Sequence, residues 1–174
     1  MRHGPDAVSV WVARFAERIP QGGPVLDLAA GGGRHTRFLA RRGHPVTAVD
    51  RDVTGLADLA ADPAVAILAV DLEDGRPWPL GERRFAGVIV TNYLHRPLLP
   101  PIVAAVAPGG CLIYETFAVG NERFGKPSNP DFLLRPGELL EAVRGKLLVL
   151  AYENLEVVEP RPAVIQRIAA VAPA

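Results

Sequence analysis

The sequence has few of the residues that build metal centres or disulfides. Cys111 is the only cysteine among 174 residues, so the chain can form neither an internal disulfide nor a thiolate cluster. The four histidines, His3, His35, His44 and His95, are scattered and lack the spacing of metal ligands. We therefore expect no metal site.

Net charge and long apolar runs are also missing. Lysine and arginine together number 19, as do aspartate and glutamate, so no overall field attracts nucleic acid or an anionic membrane. No run of about 18 apolar residues marks a membrane span, and the N-terminus lacks the apolar core of a signal peptide. We expect a cytoplasmic protein with neither a membrane nor a nucleic-acid partner. The length predicts a single domain over residues 1–174.

What the sequence does contain is a regular alternation of strand and helix patterns. Apolar runs predict strands at about 24–29, 46–50, 65–70, 85–90 and 111–117. Helix patterns and breakers predict helices at about 6–19, started by Pro5 and Asp6, and at about 34–42, 53–61, 97–106 and 136–144. Near-continuous apolar strands that alternate with helices are typical of a parallel sheet buried on both faces.

The end of the chain departs from this alternation. Strand-like runs at about 147–153 and 163–172 are joined by a connection too short for a helical crossover, so they should form an antiparallel hairpin. The fold class is therefore α/β, with a doubly wound, mostly parallel seven-stranded sheet. The 108–110 segment, Pro-Gly-Gly, predicts a tight turn. Residues 119–135 predict a long loop, either a lid over an active site or a solvated connection.

A glycine-rich stretch, residues 25–36, is the strongest functional signal. Gly31 and Gly33 lack a Cβ, so the chain can turn sharply there and lie against a ligand, just before a helix N-terminus at about Arg34. The alternative is a tight turn without a ligand. The pattern G-x-G-x-x-G would require glycine at Thr36, which argues against a nicotinamide cofactor.

An acidic residue ends the second strand beside this turn. The Asp50 carboxylate is placed to accept two hydrogen bonds from a ribose diol. The alternative role is to cap the next helix, for which Asp52 is better placed. Asp50 is therefore the predicted ligand-binding residue.

In this order, the motifs resemble those of the class I S-adenosylmethionine-dependent methyltransferases. Residues 25–33 resemble their acid-x-G-x-G-x-G motif, with Ala29 in place of the first glycine. Residues 70–72 and 85–92 resemble their third and fourth motifs, and 108–112 resembles the turn before their fifth strand. The terminal hairpin is similar to theirs, and the short chain resembles the small-molecule type, including tellurite-resistance-like enzymes.

The resemblance implies S-adenosyl-L-methionine as the cofactor and S-adenosyl-L-homocysteine as the product. The implied cofactor-binding residues are Asp27, Ala29, Gly31, Gly33, Asp50, Arg51, Asp71, Leu72, Thr91 and Asn92. Among them, Asp27 would hold the loop and, directly or through water, the cofactor's ammonium group. Asp50 would bind both ribose hydroxyls, Arg51 would lie along the adenine, and Asp71 would accept from the adenine amine.

Residues that follow strands four and five are candidates for contact with the methyl acceptor. Asn92, Tyr93 and His95 are the catalytic candidates, and Glu115, Arg123 and Phe124 are the substrate-binding candidates. Arg123 and Lys126 could attract an anionic acceptor, with Phe124 and Phe132 as a roof. The first helix, within residues 1–20, could cover the cofactor with Trp11 or Arg14, although Trp11 also suits a core position.

Together these expectations describe in-line methyl transfer to a small-molecule acceptor, by a monomer or a homodimer. One alternative is a non-catalytic S-adenosylmethionine-binding sensor or scaffold. Another is an NAD(P)-dependent oxidoreductase, which shares the strand–turn–helix pattern.

Overall fold

A seven-stranded sheet organises the chain, and the computed structural model describes residues 7–174 of it. The strands are β1 (Val25–Leu28), β2 (Val46–Asp50), β3 (Val65–Ala69), β4 (Phe85–Thr91), β5 (Val106–Phe117), β6 (Leu148–Val157) and β7 (Ala163–Val171). Their spatial order is β3-β2-β1-β4-β5-β7-β6. β1 to β5 pair in parallel, whereas β7 pairs antiparallel with both β5 and β6. The predicted fold class and terminal hairpin are confirmed.

Helices cover both faces of this sheet. They are α1 (Val10–Phe15), α2 (Arg34–Arg41), α3 (Leu99–Ala104) and α4 (Glu138–Val143). Short 3₁₀ helices occur at Ala16–Arg18, Thr54–Leu59, Arg96–Leu98, Asn121–Arg123 and Pro130–Phe132. Among residues 7–174, no helix is long and apolar enough to span a bilayer.

The sheet separates two main hydrophobic clusters because successive strand residues point to opposite faces. On β5, Leu112 packs in the cluster that contains residues of α3 and α4. Its neighbour Ile113 packs in the cluster that contains residues of α1 and α2. Both side chains are at most 1% exposed, so the central strand is buried on both faces as predicted.

Two predicted helices differ from the structure. The first begins at Val10 rather than residue 6, because the Ser9 hydroxyl accepts hydrogen bonds from the Trp11 and Val12 N–H groups and caps the helix there. The predicted start signals, Pro5 and Asp6, lie outside the described residues. The helix predicted at 53–61 is a 3₁₀ helix over Thr54–Leu59.

The prediction of a turn at residues 108–110 is also wrong, since these residues belong to β5. The pairing with β4 skips from Phe85–Val106 to Gly87–Cys111, which makes this part of β5 an irregular bulge. Glycine is needed here because a Cβ on Gly110 would lie within 2.8–3.0 Å of three carbonyl oxygens. The pattern Pro-Gly-Gly therefore marks a bulge instead of the end of a strand.

Strand directions place several connections at one edge of the sheet. β1 to β5 run in the same direction, so their carboxyl ends share this edge. β6 runs antiparallel to β7, which runs antiparallel to β5, so β6 also ends here. The β6–β7 connection, residues 158–162, therefore lies at the same edge as the glycine loop.

Candidate functional site

A cavity of about 880 Å³ opens at this carboxyl edge. Its wall combines segments that follow strands with two segments from far along the chain. The lining residues are Ala29, Ala30, Gly31, Gly32, Arg34, His35, Asp50, Arg51, Val70, Asp71, Leu72, Glu73, Thr91, Asn92, Tyr93, Phe132, Pro160 and Arg161. Its volume lies in the range typical of small-molecule sites.

The glycine loop is fixed to the end of β2 through Asp50. One carboxylate oxygen accepts from the Gly31 N–H at 2.8 Å, and the other accepts from the Asp52 N–H at 3.0 Å. Asp52, in turn, accepts from the N–H and the hydroxyl of Thr54, the first residue of the next 3₁₀ helix. The expected cap is not formed as such, since Val53 is the N-cap residue; Asp52 instead holds a turn just before the helix through Thr54. Each oxygen of Asp50 keeps a further lone pair for a ligand.

Arg37 supports the same loop from α2. Its guanidinium donates to the backbone oxygens of Gly32 and Gly55 and forms an ion pair with Asp58. In the sequence Arg37 belongs to a group of arginines that suggests a solvated helix face. Its position four residues after Gly33 is the signal that could have identified its role.

Asp27 lies beneath the loop, behind the cavity wall. It is 2% exposed, and the Thr36 hydroxyl donates to its carboxylate at 2.6 Å. Burial raises the pKa of Asp27 to about 6, although the hydrogen bonds from Thr36 and the charge of Arg34 act in the opposite direction. Thr36, which stands where the G-x-G-x-x-G pattern has its third glycine, thus serves as a hydrogen-bond donor. Contact between Asp27 and the cofactor's ammonium group stays a prediction.

His35 lines the cavity and was missed by sequence reasoning. Its Nε2 accepts from the Ser9 N–H at 3.1 Å, and its Nδ1 lies 3.4 Å from the Thr91 hydroxyl oxygen. Burial, followed by the charge of Arg34, lowers the pKa of His35 to about 3, so the ring is neutral near neutral pH. With Nε2 as an acceptor, the ring proton is on Nδ1 and is donated to Thr91. The Thr91 hydroxyl hydrogen is then available to a ligand.

The segment before α1 is attached to this side of the site. Arg34 donates to the Ala7 carbonyl oxygen at 3.1 Å, and the Ser9 hydroxyl donates to Glu115 at 2.7 Å. Trp11 is 1% exposed and donates to the Ile168 carbonyl oxygen, so it occupies a core position.

Among the predicted cofactor-binding residues, Ala29, Gly31, Asp50, Arg51, Asp71, Leu72, Thr91 and Asn92 line the cavity, whereas Asp27 and Gly33 do not. Gly33 is instead the left-handed N-cap of α2, with a φ of 78°. Asn92 also has a positive φ, 54°, which asparagine tolerates better than most residues. The binding roles stay predictions.

The predicted substrate-binding residues do not reach the cavity wall. Glu115 is engaged by Ser9 and by Arg167, whose guanidinium lies 3.2 Å from the carboxylate. Arg123 pairs with Glu156 at 3.1 Å and lies over the ring of Phe124. Of the 119–135 loop, only Phe132 lines the cavity.

The catalytic candidates, unlike the substrate-binding ones, lie at or next to the cavity wall. Asn92 and Tyr93 line the cavity, and His95 lies just outside it, with its Nδ1 4.0 Å from a carboxylate oxygen of Glu73. The Tyr93 hydroxyl is buried and has no hydrogen-bond partner in the part of the chain that the structure describes. Burial, then the charge of Glu73, raises the pKa of Tyr93 above its ordinary value. Residues 7–174 contain no cluster of three or more side chains able to hold a metal.

The comparisons with known proteins identify the fold. No protein-family model matches the sequence, and no curated protein matches it. Among solved structures, TehB from Haemophilus influenzae is 19% identical with a TM-score of 0.74, over 95% of this chain and 62% of that one.

Two further structures extend this result. Burkholderia thailandensis 1,6-didemethyltoxoflavin-N1-methyltransferase, solved with bound 1,6-didemethyltoxoflavin and S-adenosylhomocysteine, is 21% identical (TM-score 0.71, over 94% of this chain and 77% of that one). An S-adenosylmethionine-dependent methyltransferase from Mesorhizobium loti is 18% identical (TM-score 0.70, 97% and 100%). At these identities the likeness concerns the fold: the chain has the Rossmann-like methyltransferase fold that its motifs implied.

Proposed function

We propose that this protein is an S-adenosylmethionine-dependent methyltransferase that acts on a small-molecule acceptor. The observation that carries the proposal is the glycine loop joined to Asp50 at the wall of a large cavity. A methyltransferase of similar fold has been solved with S-adenosylhomocysteine bound, which supports the same cofactor here. A cytoplasmic location and a monomeric or homodimeric state stay predictions.

The cofactor end of the cavity fits the cofactor's shape and polarity. A Cβ built on Gly31 or Gly32 would have no heavy atom within 4 Å, so the loop offers an open backbone cradle. The free lone pairs of Asp50 suit a ribose diol, and each charge-assisted hydrogen bond is worth about 1.5–3 kcal/mol. Asp71 and Leu72 border the space for the adenine, with Arg51 beside it.

When bound, S-adenosylmethionine supplies a methyl group on a positively charged sulfur, which needs no further activation. The task of the protein is to align the acceptor and to exclude water. Asn92 and Tyr93 lie where they can position an acceptor, and the buried Tyr93 hydroxyl faces the Glu73 carboxylate. The neutral His35 holds Thr91 in one orientation.

An acceptor that arrives with a proton also needs a base. His35 is a poor proton acceptor because its pKa is about 3, and Tyr93 is unsuitable because its pKa is raised. The Glu73 carboxylate remains on the wall, with His95 beside it. We assign proton removal to Glu73, with His95 acting through it.

Calorimetry with S-adenosylhomocysteine tests the cofactor assignment. The wild-type protein should bind it, and Asp50→Asn should weaken binding by about 2–4 kcal/mol, since the charge on two hydrogen-bond acceptors is lost. Asp62→Asn is the matched control, because Asp62 accepts from the Ala64 N–H outside the cavity wall. Binding of NAD in place of S-adenosylhomocysteine would favour the oxidoreductase alternative.

A turnover assay separates an enzyme from a sensor. Purified protein is incubated with methyl-labelled S-adenosylmethionine and a panel of thiols, chalcogen oxyanions, amines and carboxylates. Labelled product from any of them excludes the sensor alternative. Tight cofactor binding without transfer across the panel would favour it.

A further inference from the structure

We propose that Arg161 and Phe132 form the acceptor end of the cavity and bind an organic carboxylate with a flat, apolar body. This inference rests on the proposed function, since it names the class of the methyl acceptor. It replaces the expectation that Arg123 and Lys126 attract an anionic acceptor, and it keeps Phe132, which the sequence offered with Phe124 as a roof.

The topology of the sheet brings Arg161 to the cavity. The residue lies on the β6–β7 connection, which reaches the carboxyl edge because β6 runs parallel to β5. The acidic residues of the wall, Asp50, Asp71 and Glu73, follow β2 and β3 at the opposite end of the strand order. The three acids therefore lie at one end of the cavity, together with Arg51, whereas Arg161 lies at the other end with no acid of the wall beside it in the strand order.

Arg161 is suited to bind an anion from solution. It is exposed, and no carboxylate among residues 7–174 forms an ion pair with it. Its guanidinium lies 5.7 Å from the centre of the Phe117 ring, a contact that holds the side chain without neutralising its charge. By contrast, the Arg123 guanidinium is paired with Glu156. The planar fork of an arginine matches a carboxylate through two parallel hydrogen bonds.

Phe132 supplies an apolar surface on the same wall. Its side chain is 48% exposed, although it is one of the large hydrophobic residues of the chain. The backbone around it is held in place, because Arg96 donates to the carbonyl oxygens of Asp131 and Leu133. An exposed ring on a segment whose backbone is held in place, in a cavity wall that also includes Pro160, is typical of a surface that a ligand covers.

The distribution of charge also fixes the orientation of the acceptor. A carboxylate near Glu73 would be repelled, whereas Arg161 attracts it. The acceptor therefore binds with its anionic group at the β6–β7 connection and its apolar body along Phe132.

Binding of a simple probe tests this assignment. Benzoate and its uncharged analogue benzyl alcohol are titrated into the protein, with and without S-adenosylhomocysteine, and followed by ligand-observed NMR. The wild type should bind benzoate at least about tenfold more tightly than benzyl alcohol. Arg161→Gln should remove this preference and leave benzyl alcohol unaffected, whereas Phe132→Ala should weaken both probes.

Arg144→Gln is the matched control, because Arg144 is an exposed arginine at the C-terminal end of α4 and does not line the cavity. It should change neither affinity. Unchanged melting temperatures and an unchanged affinity for S-adenosylhomocysteine would show that Arg161→Gln acts on the acceptor end alone.

Three results would overturn the inference. They are equal affinities of the wild type for the two probes, an unaltered benzoate affinity in Arg161→Gln, and displacement of benzoate by an equal concentration of inorganic sulfate. If S-adenosylhomocysteine binds while the benzoate preference is absent, only this inference fails. If the preference is present but S-adenosylhomocysteine does not bind, the proposed function fails and the carboxylate site stands.

Discussion

Asp27→Asn should stabilise the ligand-free protein near neutral pH. Burial raises the pKa of Asp27 from 3.8 to about 6. In the pH range between these values the folded protein retains a proton that the unfolded chain has largely released, so the free energy of unfolding falls as the pH rises. The contribution of Asp27 is most favourable below its unfolded pKa and is lost as the pH passes through about 6.

The size of the effect follows from the shift. A change of about 2 pKa units corresponds to about 3 kcal/mol, because each unit is worth about 1.4 kcal/mol. Asparagine stays neutral and its amide oxygen can still accept from Thr36, but its buried amide group needs partners of its own, which costs about 1–2 kcal/mol. A net gain of about 1–2 kcal/mol is expected above the folded pKa, and a net loss of about 1 kcal/mol near pH 4, where Asp27 is protonated and only the cost of the amide remains.

Urea denaturation of both proteins from about pH 4 to pH 8 measures this difference directly, because contributions from all other groups cancel. Thr36→Val should steepen the loss of stability with rising pH, since it removes the hydroxyl that favours the charged form. Glu82→Gln, a change of an exposed carboxylate, serves as the control. A stability difference between wild type and Asp27→Asn that does not vary with pH would refute the reasoning.

Three further predictions concern residues at or near the cavity. Gly33→Ala should destabilise the protein by about 1–3 kcal/mol, because φ is 78° and the added Cβ would overlap a core leucine. Gly32→Ala should preserve stability but weaken S-adenosylhomocysteine binding at least about tenfold, because its methyl group would project into open space at the loop. Denaturation measures the stability of the two variants, and calorimetry measures their affinity for S-adenosylhomocysteine. Equal stabilities would contradict the structural role of Gly33. Arg96→Met should lower stability by about 1–3 kcal/mol and speed protease cleavage at residues 129–134, since it removes the ion pair with Glu138 and two bonds to the loop backbone. An unchanged cleavage rate would show that other contacts hold the loop.

The cofactor end of the fold was the part best predicted from sequence, because its signals are local. The strand at Val46–Asp50 matches the prediction residue for residue, since an apolar run ends at an acid. The glycine loop and α2 are also local, because they depend on residues adjacent in the chain. Asp50 is the exception, since it lies 19 residues from Gly31, from whose N–H it accepts, but it ends the strand that follows α2.

The acceptor end could not be predicted in the same way. Thr91 and His35 meet across 56 residues, and Phe132 and Arg161 reach the cavity from separate connections. No periodicity or spacing encodes such contacts, since they depend on how the sheet orders its strands. Of the loop residues that the sequence favoured, Phe132 lines the cavity, whereas Arg123, Phe124 and Lys126 do not. Arg161 was not among the candidates.

The two ends of the cavity therefore differ in the substitutions that they tolerate. The cofactor end consists of backbone groups and Asp50, so most substitutions there also disturb the turn from β1 into α2. The acceptor end consists of the side chains of Phe132 and Arg161 on surface connections, where substitutions cost little stability. Because the two ends share no hydrogen bond in residues 7–174, changes at Phe132 and Arg161 should alter acceptor preference while the affinity for S-adenosylhomocysteine stays constant.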